Sequence, residues 1–480
     1  MVASGDFQPK DYQYPSLYTN LLASIYSLFH VKTEYAYYLI GCFISALAGS
    51  ALVVAVFFMA RLFCSNFGAL FASCLSVFCI TSITFSRIPA PDILMVFFMT
   101  AAIYTMLHER ISIKHFVLAG VFAGLSAGSK FTGLYLILWF PVSAWIVDRP
   151  KSITKVLGHL FVTYLAFAVT FLLTTPWFLP MLNLYIQRML GEFKIQQYGQ
   201  VGAVQGGYLD YFFSSTATWG QPWLGTSFIT NLGIPLTLAG AIAILWGLSK
   251  RGNPRVFLIT VYIMVYIFLI SGPGRLKAFR FVFPILPLLY VLIGCFIEKS
   301  LINTLKRYRT ILGLALAASL LAFPALKTIK YLRATINLTT NEIAQEWIAQ
   351  NISPGTKVFR GPLYLTHINQ LPLKFLLLKN VGGRLYRLPE EIGPNPERSP
   401  IYYPELIDEF RNYGVQYLIM NSYFDDAFSP VPENIVFFPR SVKDYQMFLK
   451  RLNSEAHLAY SVKGWSEHRI GPDIAVYRLE

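Results

Sequence analysis

Between residues 36 and 323 the chain repeats one pattern: a long apolar run, a short polar break, another apolar run. Ten runs are legible, at 36–60, 66–85, 91–107, 115–127, 131–146, 156–179, 231–248, 256–270, 281–297 and 310–323. A soluble core does not require so many. A bilayer does, at roughly 20 residues per helix. After Asn337 the pattern changes to amphipathic and alternating segments. Thr339 and Glu342 have the spacing of a capping box before a helix that carries Ile343, Ala344, Trp347 and Ile348 on one side. Pro354-Gly355 should end that helix. VQYLIM at 415–420 reads as a buried strand, IAVYRL at 474–479 as a half-buried one, and a helix should run from a cap at Ser441 to about Leu452. The Pro- and Glu-rich stretch 388–403 reads as loop. The expected fold is a mainly α polytopic membrane protein with a small α/β C-terminal domain, divided into a membrane domain 1–335 and a tail domain 336–480.

Charge refines this picture. Charged residues make up 14% of the chain, below the roughly 25% of soluble domains. The net charge of +15 is uneven: from Asn337 onward 15 basic residues face 16 acidic ones, and the rest of the chain holds 25 against 9. Nucleic acid is excluded as the cause, because the basic residues sit in short breaks between apolar runs and form no stripe with interleaved aromatics. Alternate breaks are the basic ones. Arg61, Arg110, Lys114, Arg149, Lys151, Lys155, Lys250, Arg251, Arg255, Lys299, Lys306, Arg307 and Arg309 belong to one set, 13 basic residues against Glu109, Asp148 and Glu298. That set should be cytoplasmic. The N-terminal segment, the aromatic and Gly-rich loop 180–230 and the tail then lie outside the cytoplasm, as in a multi-pass protein of a prokaryotic cell membrane. The loop should lie on the membrane surface. An outward segment 1–35 has no apolar run before it to carry it across. An upstream span is therefore expected, with Met1 internal to a longer protein and the membrane domain N-terminally incomplete. All five cysteines are in the membrane half, none with a histidine at metal-ligand spacing, so the tail is held by its core.

Charges at the outward membrane edge are costly unless paired or hydrated, which makes them candidates for function. Four clusters stand out. Residues 4–23, SGDFQPKDYQYPSLYTNLLA, combine Asp6, Lys10 and Asp11 with an aromatic turn; an interfacial anchor and a substrate-facing segment are both open. SRIPAPD places Arg87 and Asp92 at an outward break, either as a helix cap with its ion pair or as a site. Lys130 in AGSKFTG lies between two apolar runs, where it either snorkels to headgroups or serves a ligand. Arg275, Lys277 and Arg280 in GPGRLKAFRF oppose the positive-inside trend; three cations without a neighbouring acid suit an anion, either a lipid headgroup or a substrate phosphate.

These clusters, in this order, resemble the GT-C glycosyltransferases, in particular the dolichyl-phosphate-mannose–protein mannosyltransferases and the aminoarabinose lipid A transferases. MVASGDFQP with YPSLY resembles the family's first external loop. SRIPAPDILMVFF resembles its Arg and second Asp, AGLSAGSKFTGLYL its Gly-rich Lys-containing stretch, and RFVFPILPLL its Arg-Tyr-hydrophobic-Pro segment. In the tail, AQEWIAQNISPGTKV and VQYLIMNSYFDD resemble the external domains of bacterial members. The resemblance implies inverting transfer of a sugar from a polyprenyl phosphate to an extracytoplasmic protein or lipid acceptor, assisted by an acidic residue. Asp92 would then serve the acceptor side, and Arg87, Lys130, Arg275, Lys277 and Arg280 the lipid phosphate. It fixes no cofactor, and a need for a divalent metal is left open. The family's Asp-Glu pair would fall before Met1, and Asp6 and Asp11 match positions after it. A transporter and a catalytically inactive membrane scaffold are the alternatives. A transporter should show two related halves and charges near the midplane, neither of which is found.

The topology has a direct check. Single cysteines placed at Arg110, Arg149, Arg251 and Arg307 in a cysteine-free background should be protected from an impermeant thiol reagent in intact cells, while cysteines in the tail react. The opposite labelling would invert the orientation.

Overall fold

The computed structural model describes residues 14–31, 33–108, 112–148, 153–198, 205–214, 217–218, 221–250, 253–272, 275–302, 309–360, 373–376, 402–422, 430, 439–464, 466 and 469–479. The chain forms two compact units. One comprises Met1–Leu190, Phe228–Gly272 and Phe279–Leu326; the other comprises Gly191–Ser227, Pro273–Ala278 and Lys327–Glu480.

The first unit is helical. Its elements are α1 (Leu17–Leu28), α2 (Glu34–Arg61), α3 (Asn66–Val77), α4 (Ile80–Ser86), α5 (Pro91–Thr105), α6 (Ile113–Ser129), α7 (Tyr135–Asp148) and α8 (Ile153–Thr174), followed by the start of α9 (Leu182–Tyr198). After the single turn α10 (Asp210–Phe213), which belongs to the second unit, come α11 (Phe228–Leu232), α12 (Ile234–Ser249), α13 (Pro254–Ser271), α14 (Leu286–Phe296) and most of α15 (Arg309–Ile336). All ten apolar runs are helices. Among the described residues five helical stretches are long and apolar enough to cross a bilayer: Tyr35–Arg61, Ile153–Thr174, Pro254–Ser271, Phe283–Ser300 and one that starts at Gly313. The pair α3 and α4, bent by 59°, makes a sixth, and four shorter apolar helices account for the other runs. Together they make an integral multi-pass membrane protein.

Proline corrects two boundaries. The run expected to reach 179 leaves the helix at Thr174, because Pro176 and Pro180 follow. The run expected from 281 opens as the 3₁₀ turns Phe279–Phe281 and Phe283–Ile285 before α14, with Pro284 and Pro287 among them. The loop 180–230, expected on the membrane surface, contains α9, which apolar-run counting does not register. Residues Asp6, Lys10 and Asp11 lie outside the described residues, as does most of 388–403.

Helix α6 is held against α8 by the absence of side chains. Gly120, Gly124 and Gly128 recur every fourth residue and so share one face. A Cβ on Gly120 would collide with the Thr163 carbonyl oxygen; one on Gly124 would lie 2.7 Å from Thr170 Cβ and 2.8 Å from the Phe167 carbonyl oxygen. The two backbones therefore meet directly, as small residues allow in a bilayer. Toward α5, the hydroxyl of Ser126 donates to the carbonyl of Met95 at 3.0 Å.

The tail domain, within the second unit, is a three-layer α/β arrangement. Strands β5 (Lys357–Arg360), β6 (Lys374–Leu376), β7 (Tyr417–Asn421), β8 (Ala456–Val462) and β9 (Ile474–Leu479) form a sheet in the order β6-β5-β7-β9-β8; β1 (Gln205–Gly206) with β4 (Arg275–Leu276), and β2 (Ala217–Thr218) with β3 (Gln221–Gly225), form two separate short pairs. β5 is parallel to β6 and β7, and β9 is antiparallel to β7 and β8. Successive strand residues point to opposite faces. Val358, Ile419 and Val476 pack with Ala344 and Ile348 of α16 (Thr340–Asn351). Phe359, Leu418 and Leu479 pack with α17 (Leu406–Asn412) and α18 (Pro439–Glu455). The VQYLIM run is thus buried on both faces, which explains its continuous hydrophobicity. The capping box is formed: Thr339 N–H donates to Glu342 Oε2 at 2.7 Å, and Glu342 N–H to Thr339 Oγ1 at 3.3 Å. Ser441 is not a cap; the helix starts at Pro439, whose fixed φ suits a first turn, and runs on to Glu455. Arg451 bridges Asp408 at 2.9 Å and Glu455 at 2.6 Å, and Arg411 reaches Glu455 at 2.7 Å, tying α17 to α18. These hydrogen bonds, first from Arg451 and then from Arg411, hold the Glu455 carboxyl at about 2.

Gly124→Leu should cost about 1–3 kcal/mol or more of stability by overpacking the α6–α8 seam. Gly158→Leu on α8, where a Cβ meets nothing within 4 Å, should stay within about 0.5 kcal/mol. Thermal unfolding of the purified full chain in detergent compares the two; equal losses would remove the seam's special role.

Candidate functional site

The break between α4 and α5 is set by proline. Ala90 is extended (φ −131°, ψ 141°) and caps the helix, Pro91 takes the first helical position, and Asp92 the second. Asp92 is therefore not the cap that the sequence allowed. It is buried, and its carboxylate sits in the first turn of α5, where the unpaired N–H groups favour negative charge.

Its counter-charge comes from the end of α6. Lys130 leaves the helix in extended conformation (φ −156°, ψ 139°), although its N–H still donates to the Ser126 carbonyl at 3.0 Å. The 3₁₀ turn Phe131–Leu134 follows, closed by Gly133 N–H on the Lys130 carbonyl at 2.9 Å. Gly133 is required here: a Cβ would lie 2.6 Å from the Ser126 carbonyl carbon, so only glycine lets the turn fold back against α6. This helix, extended residue and turn sequence directs the lysine sideways onto α5. Lys130 Nζ donates to Asp92 Oδ1 at 2.6 Å, and the two side chains are only 14% and 10% exposed. The ammonium also lies 5.5 Å from the centre of the Tyr14 ring. Asp92 Oδ2 has no hydrogen-bond partner among the described residues.

Arg87 is exposed and ends α4; its carbonyl accepts a hydrogen bond from Cys42 Sγ at 3.1 Å, and the ion pair of Asp92 is with Lys130. Arg280 belongs to the same helical unit. It lies half-buried in the turn Phe279–Phe281, with its guanidinium 5.2 Å from the Phe281 ring centre. Tyr266 of α13 fixes that turn by donating to the Phe281 carbonyl at 3.1 Å.

Arg275 and Lys277 belong to the second unit. There β1 (Gln205–Gly206) pairs antiparallel with β4 (Arg275–Leu276), Gly206 opposite Arg275; the pair β2 (Ala217–Thr218) and β3 (Gln221–Gly225) is separate. The Asp210 carboxylate accepts from Gly207 N–H and closes the turn that carries Tyr211. Lys277 is fully buried, its Nζ 5.1 Å from the Tyr211 ring centre. The structure thus joins Asp92 with Lys130, puts Arg280 in the same unit and groups Arg275 with Lys277 in the other. Sequence reasoning missed Tyr14 and Tyr211, which nothing distinguishes from the other tyrosines of YQYPSLY and YLDYFF. Among the described residues no three His, Cys, Asp or Glu side chains are placed to hold a metal ion.

Residues 15–177, which include Asp92 and Lys130, match the family model described as dolichyl-phosphate-mannose-protein mannosyltransferase. No curated protein matches the chain. Among solved structures, ArnT from Cupriavidus metallidurans bound to undecaprenyl phosphate is similar with a TM-score of 0.56 at 13% identity, over 99% of this chain and 91% of that one. The archaeal oligosaccharyltransferase AglB from Archaeoglobus fulgidus, in complex with an inhibitory peptide and a dolichol-phosphate, is similar with a TM-score of 0.55 at 11% identity, over 93% of this chain and 65% of that one. At such identities the likeness is one of fold. The family-model match and that fold together support a GT-C superfamily glycosyltransferase.

Proposed function

We propose that this membrane glycosyltransferase moves a sugar from a polyprenyl-phosphate donor to a protein or lipid acceptor outside the cytoplasm, with inversion at the anomeric carbon, in a prokaryotic cell membrane. The observation that carries the reading is the Lys130–Asp92 pair at the mouths of two apolar helices. Such a pair is costly to bury in a bilayer protein and marks a site more readily than a scaffold. A likeness to undecaprenyl-phosphate-bound ArnT and dolichol-phosphate-bound AglB supports a lipid-linked donor. The basic loops on one side support an extracytoplasmic tail domain at 336–480.

In this reaction the acceptor oxygen or nitrogen forms a bond to the anomeric carbon. The bond from that carbon to the phosphate oxygen breaks with its electron pair, which releases polyprenyl phosphate, and the acceptor's proton ends on that phosphate or in solvent water. Lys130 holds Asp92 by Oδ1, and Oδ2 then accepts a hydrogen bond from the incoming nucleophile and aims it. Since Asp92 already neutralises Lys130, the phosphate charge needs other cations. Arg280 of the helical unit is the first candidate, with Arg87 on the exposed end of α4 as a further one. These groups counter the charge that grows on the phosphate as the sugar departs.

Asp92→Asn should lower acceptor-dependent turnover by about 10-fold or more while donor binding stays within about 2-fold, since the loss falls on positioning. Arg280→Ala should weaken donor binding by about 10-fold, the value of one charge-assisted contact of roughly 1.5–3 kcal/mol. The assay presents a panel of polyprenyl-phosphate-linked sugars to the full chain in membranes. Transfer from none of them, or normal turnover in Asp92→Asn, would overturn the reading.

A further inference from the structure

Lysine has a long, flexible stem, and a single hydrogen bond to Asp92 does not by itself keep the ammonium in one place. The second group in contact with that ammonium is the ring of Tyr14. Tyr14 precedes the first turn of α1, and that turn is pinned by neighbours rather than by α1 alone. Ser16 is almost fully buried, and its hydroxyl donates at 3.3 Å to the Thr174 carbonyl at the C-terminus of α8. Asn20 donates to Ser16 Oγ at 3.0 Å and to the same Thr174 carbonyl at 3.3 Å, so an otherwise orphaned helix-end acceptor is satisfied twice. Gly128, two residues before Lys130, leaves room for this junction: a Cβ there would lie 3.3 Å from Thr174 Cβ and 3.5 Å from Leu17 Cβ. The start of α1, the end of α6 and the end of α8 therefore meet at one point, and the Tyr14 ring is held above it.

Resting on the glycosyltransferase reading, we infer that Tyr14 is a positioning residue: its ring holds the Lys130 ammonium on Asp92 and so fixes the carboxylate that aims the acceptor. The ring face carries partial negative charge and attracts the cation that Asp92 also holds. An aliphatic side chain would fill the space without that attraction. Water or an alternative lysine rotamer would then compete for the ammonium, and Asp92 would lose its fixed orientation. The hydroxyl of Tyr14 takes no part in this role.

The test uses Tyr14→Phe and Tyr14→Leu in the full chain in membranes. Tyr14→Leu should lower kcat for transfer by about 5- to 30-fold, matching a cation–π contact, with donor KM within about 2-fold. Tyr14→Phe, which keeps the ring, should stay within about 2-fold of the parent. In a Lys130→Met background Tyr14→Leu should cost nothing further, because the two act as one unit. Equal activity of the Leu variant and the parent, a Phe variant as poor as Leu, or full additivity with Lys130→Met would each overturn the inference. Failure of the glycosyltransferase reading is separable, since the same four-protein cycle can be read in thermal midpoints without turnover. Coupling between Tyr14 and Lys130 in that cycle supports the contact even if no donor is found, and its absence overturns it.

Discussion

One ion pair organises the first half of this molecule. A carboxylate and an ammonium 2.6 Å apart, both largely withdrawn from solvent, attract each other more strongly than they would in water, yet each loses hydration to get there. The balance favours contact only if the partners are held in place beforehand. The local structure does this on both sides. Pro91 starts α5 one residue before Asp92, and Gly133 turns the chain back immediately after Lys130. The packing beneath the pair does the same: α5 is bonded to α6 through Ser126, and α6 lies on α8 along three glycines.

The arrangement also separates two electrostatic tasks. A lysine already matched by an aspartate is a poor trap for a further anion, while the cations of the GPGRLKAFRF stretch carry no acid in their own segment. Under the proposed reaction, orienting a nucleophile and receiving a departing phosphate are opposite demands, and different residues would meet them.

The hydropathy pattern sufficed to locate all ten helical runs, because a bilayer rewards length and composition before anything else. Tail elements with a strong local signal were equally legible: the Thr339–Glu342 box and the doubly buried 417–421 strand are in place. What failed has local causes. Ser441 looked like a cap, but Pro439 takes the start of the helix. The segment 182–198 falls within the loop expected on the membrane surface, and its polar composition hides a helix from a search for apolar runs. The four clusters were found as charged residues at apolar edges, but their pairing was not. Asp92 and Lys130 are 38 positions apart, and only the packing of α5 on α6 decides that they meet while Arg87 ends exposed. Tyr14 was invisible for the same reason, as its role depends on where α1 docks.

The glycine seam divides α8 into two unlike surfaces. Toward α6 the helix presents Thr163, Phe167 and Thr170 to bare backbone, where even one added carbon finds no room. On its far side Leu157, Phe161, Leu165, Val169 and Leu173 recur every fourth residue and are exposed. Hydrocarbon chains can fit almost any apolar outline, so that side is constrained only in polarity. In descendants of this chain, drift in side-chain size should therefore accumulate along the lipid stripe of α8 and stay frozen along its glycine-facing stripe, so that a single helix records two different rates of change.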